Sequence, residues 1–174
     1  MKVLVLGVGN VLMTDDSVGV RVVNEIERRY RFGDDVEFLD GGTSGIELLS
    51  YISKRDHLII IDALKCGKEP GTVVRLEGED VPAKFMTKIS PHQLGLSDVL
   101  AAATVSDELP LNMVLFGVEP KKISLGLELT DEVQASFEKL VNVVIDELKS
   151  LGYVPEPVSE EEMASMQKNF WERS

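Results

Sequence analysis

Scarcity bounds this 174-residue chain before any motif is read: it has one cysteine, one tryptophan and two histidines. A lone Cys66 excludes an intramolecular disulfide, leaves the chain without a disulfide partner and fits a reducing, cytoplasmic compartment. Basic residues are also short, with 18 Lys and Arg against 30 Asp and Glu and a formal net charge of -12 at pH 7. No Lys/Arg cluster interleaves with aromatics, which argues against nucleic acid as a partner. No apolar run approaches the roughly 18 to 20 residues that cross a bilayer, so no membrane-spanning helix is expected. The apolar start, MKVLVLGVGNVLM, is broken by Gly9 and Asn10, runs into Asp15 and Asp16 and lacks a small-residue cleavage site. It reads as a buried strand and not as a signal peptide.

What the chain does have is 44% apolar residues, enough to bury one sizeable core and too short a length for two full domains. Short apolar runs alternate with segments of helical period, the pattern of a mostly parallel sheet with helices on its faces. The expectation is an α/β single domain, a three-layer sandwich with a twisted, mostly parallel five-stranded sheet between helices. Strands are expected at Val3 to Val8, Val36 to Leu39, Leu58 to Ile61, Thr72 to Leu76 and Met113 to Val118, the third and fifth of them central.

Between the first two strands, Val18, Val22 and Ile26 recur every four residues beside Val23 and Tyr30. This predicts an amphipathic helix that Asp15, Asp16 or Ser17 caps and Gly33 ends. Ile46, Leu49 and Ile52 give a second helical stripe over Gly45 to Ser53, and Leu94 to Ala103 a third. The longest stripe, Val133, Phe137, Leu140, Val144 and Leu148, starts after Thr130-Asp131-Glu132 and stops at Gly152. Beyond it Pro155 and Pro157 punctuate the chain, and SEEEMASMQKNFWERS follows as one charged piece. The domain is therefore expected to span 1–152, with an acidic C-terminal tail over 153–174 whose Phe170 and Trp171 could dock on the body, contact a partner or be disordered.

In a parallel α/β sheet, ligands gather at the carboxyl ends of the strands. Three metal-competent side chains obey that rule. Asp16 lies past the first strand in GVGNVLMTDDSVGV, Asp62 closes the run HLIIID, and His92 sits in KISPHQLG ahead of a helix. Each has an ordinary structural reading, as a helix cap, a carboxylate bonded to loop amides and a helix-start histidine. Their shared location favours a joint role, because an aspartate closing a buried strand without a partner is costly. Two oxygens and an imidazole make an incomplete metal site, and open positions on a metal usually meet a substrate.

Other motifs weigh less. Gly7-Val8-Gly9 after the first strand invites a dinucleotide reading, with Asp40 as a ribose-binding acid, but position 12 is Leu where GxGxxG needs glycine. Gly41-Gly42-Thr43-Ser44-Gly45 reads as a glycine-rich loop that brings backbone amides close to a ligand. No HExxH is present, and Ser44 lacks the glycine pattern of a nucleophile elbow because position 46 is Ile. Cys66 is a candidate nucleophile or soft ligand whose surroundings fit an inert thiol better. His57, at the start of the third strand, lies at the opposite end from Asp62 and reads as structural.

The motifs GVGNVLMTDDSVGVRV, LDGGTSGIELL, LIIIDAL and KISPHQLGLSDVL resemble those of the nickel-iron hydrogenase maturation endopeptidases, in matching order over roughly residues 1 to 150. The resemblance implies a twisted sheet between helices and a site where Asp16, Asp62 and His92 bind nickel, with Asp40 as possible support. Position 16 is Asp where some relatives carry Glu, which shortens the arm by about one methylene and keeps the charge. It also implies a substrate, the nickel-loaded precursor of a hydrogenase large subunit, whose C-terminal extension is removed after nickel insertion. The metal then arrives with the substrate, and the isolated protein is expected to have an empty site or a surrogate divalent ion there. Two other readings use the same residues: a noncatalytic nickel-binding assembly chaperone, and a nucleotide-binding α/β protein.

Overall fold

The computed structural model describes residues 2–42, 55–81 and 112–159, together with 52, 110 and 161. The strands are β1 (Val3–Val8), β2 (Tyr30–Arg31), β3 (Val36–Gly42), β4 (His57–Ala63), β5 (Val73–Glu77), β6 (Asn112–Val118) and β7 (Glu156–Pro157). Five of them form one sheet in the order β3-β1-β4-β6-β5. β3, β1, β4 and β6 run parallel, and β5 lies antiparallel on the β6 edge. This is the expected α/β class, with β4 at the centre and β6 beside it.

Both faces of the sheet are covered, which is why its inner strands are almost wholly apolar, with Asp62 as the charged exception inside β4. All of β1 is buried, and so are Leu58 to Ala63 of β4 and Met113 to Val118 of β6. Alternation divides these side chains into two cores. Val3, Val5, Ile59, Ile61, Val114 and Phe116 pack under helices α1 (Val18–Arg29) and α2 (Asp131–Ser150). Leu4, Leu6, Leu58, Ile60, Met113 and Leu115 pack on the other face, with Ile52 and Val81.

The helical stripes land where their spacing puts them. Val18, Val22, Val23 and Ile26 of α1 and Val133, Leu140, Val144 and Leu148 of α2 are fully buried. α2 ends when Gly152 N donates to Lys149 O at 2.9 Å and Tyr153 N to Leu148 O at 3.0 Å, the paired bonds that close a helix on a left-handed glycine. Two local expectations change. Tyr30 leaves the α1 stripe and opens β2. The cap of α1 is built by backbone: a 3-10 turn over Thr14–Ser17 feeds into the helix, Val18 N bonds Asp15 O, and the Ser17 hydroxyl donates to Thr14 O at 2.6 Å.

Residues just past α2 pack on the body. β7 pairs antiparallel with β2, Val158 N donates to Arg29 O at 2.9 Å, and the Val158 side chain is buried. The predicted helices over 45–53 and 94–103 lie outside the described residues except for Ile52, which is helical and fully buried. Phe170 and Trp171 also lie outside them.

Candidate active site at the carboxyl edge of the sheet

Asp16 and Asp62 reach the same edge through an unusually close approach of helix to strand. β1 ends at Val8, and Gly9 turns the chain with φ +129°, a conformation side chains rarely adopt. A Cβ on Gly9 would also collide with the carbonyl oxygen of Asp16. Ten residues on, Gly19 in the first turn of α1 sits against the ends of two strands: a Cβ there would overlap the Ile61 carbonyl and come to 2.7 Å from the Val8 carbonyl. The start of α1 is thus wedged between β1 and β4. The 3-10 turn that carries Asp16 touches β4, which carries Asp62.

Both carboxylates are withdrawn from solvent, Asp16 at 4% exposure and Asp62 at 0%. Asp62 lies inside β4, opposite Gly117 of β6, and alternation puts it in the row of Leu58 and Ile60. Asp16 Oδ2 accepts a hydrogen bond from Asn10 N at 2.9 Å, and Asp16 N donates to Met13 O at 2.9 Å. The turn therefore closes on its own carboxylate.

Two further buried carboxylates brace this edge, and sequence reasoning assigned neither of them this role. Asp15, fully buried, accepts from Lys121 N (2.9 Å), Lys122 N (3.0 Å), Thr130 N (2.8 Å) and the Thr130 hydroxyl. It ties the loop ahead of α2 to the Asp16 turn. Glu119, just past β6, accepts from Cys66 N (2.7 Å), Gly67 N (3.0 Å) and Lys68 N (3.2 Å). It fixes the loop that follows Asp62. Backbone amides carry no sequence signature, so the only signal for Asp15 was its place beside Asp16.

Asp40 lies within β3, which runs past the expected end at Leu39 to Gly42 with a bulge where it pairs with Gly7 and Val8. It is exposed at the level of Gly7, in the row of Phe38 on the α1 side, and Asp62 belongs to the opposite row. Two strand spacings, about 10 Å, separate the backbones of β3 and β4. On that side Glu27 of α1 has its carboxyl raised above the ordinary value, mainly by burial; Arg31 opposes the rise and the Asp40 charge adds to it.

His92 lies outside the described residues, as do Thr43 to Gly45. Among the described residues no group of three His, Cys, Asp or Glu side chains could hold a metal. His57 pairs with Val3 and Asn112 at the far end of β4 from Asp62, as the sequence placed it. Cys66 is a free thiol in the loop that Glu119 holds. The glycines of the first turn are occupied by the chain itself, since a Cβ on Gly7 would lie 2.5 Å from the Gly19 carbonyl oxygen. They serve helix-strand packing, and Leu12 stands where the dinucleotide motif needs its third glycine. Among the described residues no helix is long and apolar enough to cross a membrane.

Comparison with known proteins agrees with this architecture. A family model described as hydrogenase maturation protease matches residues 20–147. The hydrogenase 2 maturation protease of Escherichia coli is 49% identical over 153 residues, 87% of this chain and 93% of its own length. Among solved structures, the hydrogenase maturating endopeptidase HybD from E. coli superposes with a TM-score of 0.86 at 47% identity, covering 90% of this chain and 98% of that one. The [NiFe] hydrogenase maturation protease HybD from Thermococcus kodakarensis gives 0.64 at 31% identity, covering 83% and 97%. By sequence and by fold the chain belongs to the hydrogenase maturation protease family and is an endopeptidase of that class.

Proposed function

We propose that this endopeptidase removes the C-terminal extension of a nickel-iron hydrogenase large subunit after nickel insertion, and that it recognises the bound nickel through Asp16, Asp62 and His92. The observation that carries the proposal is the pair Asp16 and Asp62, two buried carboxylates on touching elements at the carboxyl edge of the sheet. Carboxylate oxygens are ligands that a divalent metal accepts, and these two belong to elements that meet at one edge. Nickel is the substrate's cargo here. Two carboxylates and one imidazole complete the shell of a metal already held by the precursor, and they bind the loaded precursor better than the empty one. The discrimination comes from the missing ligands, because a site that lacks them holds free metal weakly.

Asp40, exposed on the α1 side of the same edge, supports the approach of the precursor from outside the pair. The proposed location is the cytoplasm, in keeping with the lone Cys66. A noncatalytic nickel-binding chaperone would use the same residues, but the family is one of proteases. Mass spectrometry of the precursor after incubation with the purified protein tests the proposal. A shortened large subunit plus the released C-terminal peptide is expected; an intact subunit contradicts it.

A further inference from the structure

Five aliphatic side chains stand exposed beside the Asp16 turn: Val11, Leu12, Ile123, Leu125 and Leu127, with Leu125 at 83% and Leu127 at 66%. Single exposed aliphatics need no explanation, but a contiguous set marks an interaction surface. Backbone pairing makes these contiguous. Gly126 N donates to Leu12 O and Thr14 N to Gly126 O, each at 2.9 Å, and Met13 bridges Gly126 in parallel.

The pairing is pinned at both ends. Thr14 adopts φ +38°, which is unfavourable for a β-branched residue. Its hydroxyl donates to Lys122 O at 2.6 Å and accepts from Ser124 N at 3.0 Å. Asp15 holds the amides of Lys121 and Lys122, and Arg21 donates to Leu127 O. Residues 11–12 and 123–127 therefore form one fixed surface. Arg21 and Lys122 border it, and so do exposed Glu128 and the Lys121–Glu132 ion pair, so the patch is apolar with a rim of both signs.

The surface is continuous with the carboxylate site, because the same turn carries Asp16 and closes on it through Met13 and Asn10. A precursor that brings its nickel to Asp16 and Asp62 must lay its chain across what borders Asp16. Resting on the function proposed above, we infer that this patch docks the large-subunit precursor through an apolar segment beside its scissile bond.

The test is the double variant Leu125→Ser/Leu127→Ser, two exposed positions whose change leaves the core intact; circular dichroism and Tm confirm the fold. Wild type and variant are compared on nickel-loaded precursor for KM and kcat, and for direct binding by biolayer interferometry. A KM and Kd raised about tenfold or more, with kcat retained, is the expected result. Unchanged KM and Kd overturn the inference. So does unaltered processing combined with loss of self-association in sedimentation, which assigns the patch to a second copy of the chain. If the wild type binds the precursor without cleaving it, the proposed function fails, and the Kd comparison still decides the docking surface.

Discussion

Gly19 and Ile61 meet through their main chains, so closely that a single added methyl on Gly19 would occupy the space of the Ile61 carbonyl oxygen. This contact joins the two halves of the candidate site, since Asp16 precedes Gly19 by three residues and Asp62 follows Ile61. It gives the first prediction. Gly19→Ala must push α1 away from β4, at a cost of about 1–3 kcal/mol typical of overpacking. Urea unfolding should show that loss, and precursor cleavage should fall even where the variant remains folded.

Asp16→Asn and Asp62→Asn keep shape and remove charge. Each is expected to lower cleavage of nickel-loaded precursor by about 100-fold or more, equivalent to ~2.7 kcal/mol of lost transition-state stabilisation. Asp16→Glu retains the carboxylate on an arm longer by about one methylene, and cleavage by that variant should stay close to wild type. Activity of the Asn variants within a few-fold of wild type would remove these residues from the mechanism.

Asp15 holds three backbone amides and one hydroxyl from the loop ahead of α2. An amide in its place offers two hydrogens to groups that are themselves donors. Asp15→Asn should cost about 2–3 kcal/mol, since hydrogen bonds to a buried charge are worth more than neutral ones. The effect should be local: amide hydrogen exchange at Lys121, Lys122 and Thr130 accelerates, and the β1 and β4 core amides change far less.

Acid should weaken the ion pairs on α1 and between α1 and α2. Arg29 beside Glu138 holds that carboxyl below its ordinary value of 4.5, and Arg28, with Arg29, does the same for Glu25. A carboxylate whose folded pKa is depressed contributes stability above the unfolded value and loses it as pH falls through the folded one. Unfolding free energy should therefore decline as pH drops below about 4.5. Glu138→Gln should flatten that decline. Both groups are partly or largely exposed, so added salt should shrink the difference between variant and wild type.

The parts of the fold legible in the sequence are those that burial dictates. β1, β4 and β6 are covered on both faces, so their runs stay apolar up to Asp62 in β4, and the 3.6-residue stripes of α1 and α2 fall on the core they were predicted to cover. The end of β3 was not legible, because Asp-Gly-Gly disfavours a strand and only pairing with Gly7 and Val8 overrides that preference. The docking of residues 156–158 was hidden for a similar reason: two residue pairs and one backbone bond leave no pattern. Asp16 and Asp62 could be placed together because strand polarity alone brings carboxyl ends to one edge. Asp15 and Glu119 could not be assigned in this way, since their partners are amides supplied by loops that are distant in sequence.

The proposed function has the carboxylate pair read the precursor's own nickel. Its most direct test is the initial cleavage rate of nickel-loaded and nickel-free precursor, measured side by side with the same purified enzyme. Cleavage of the loaded form with the empty form left intact is the predicted result, and equal rates on both would contradict it.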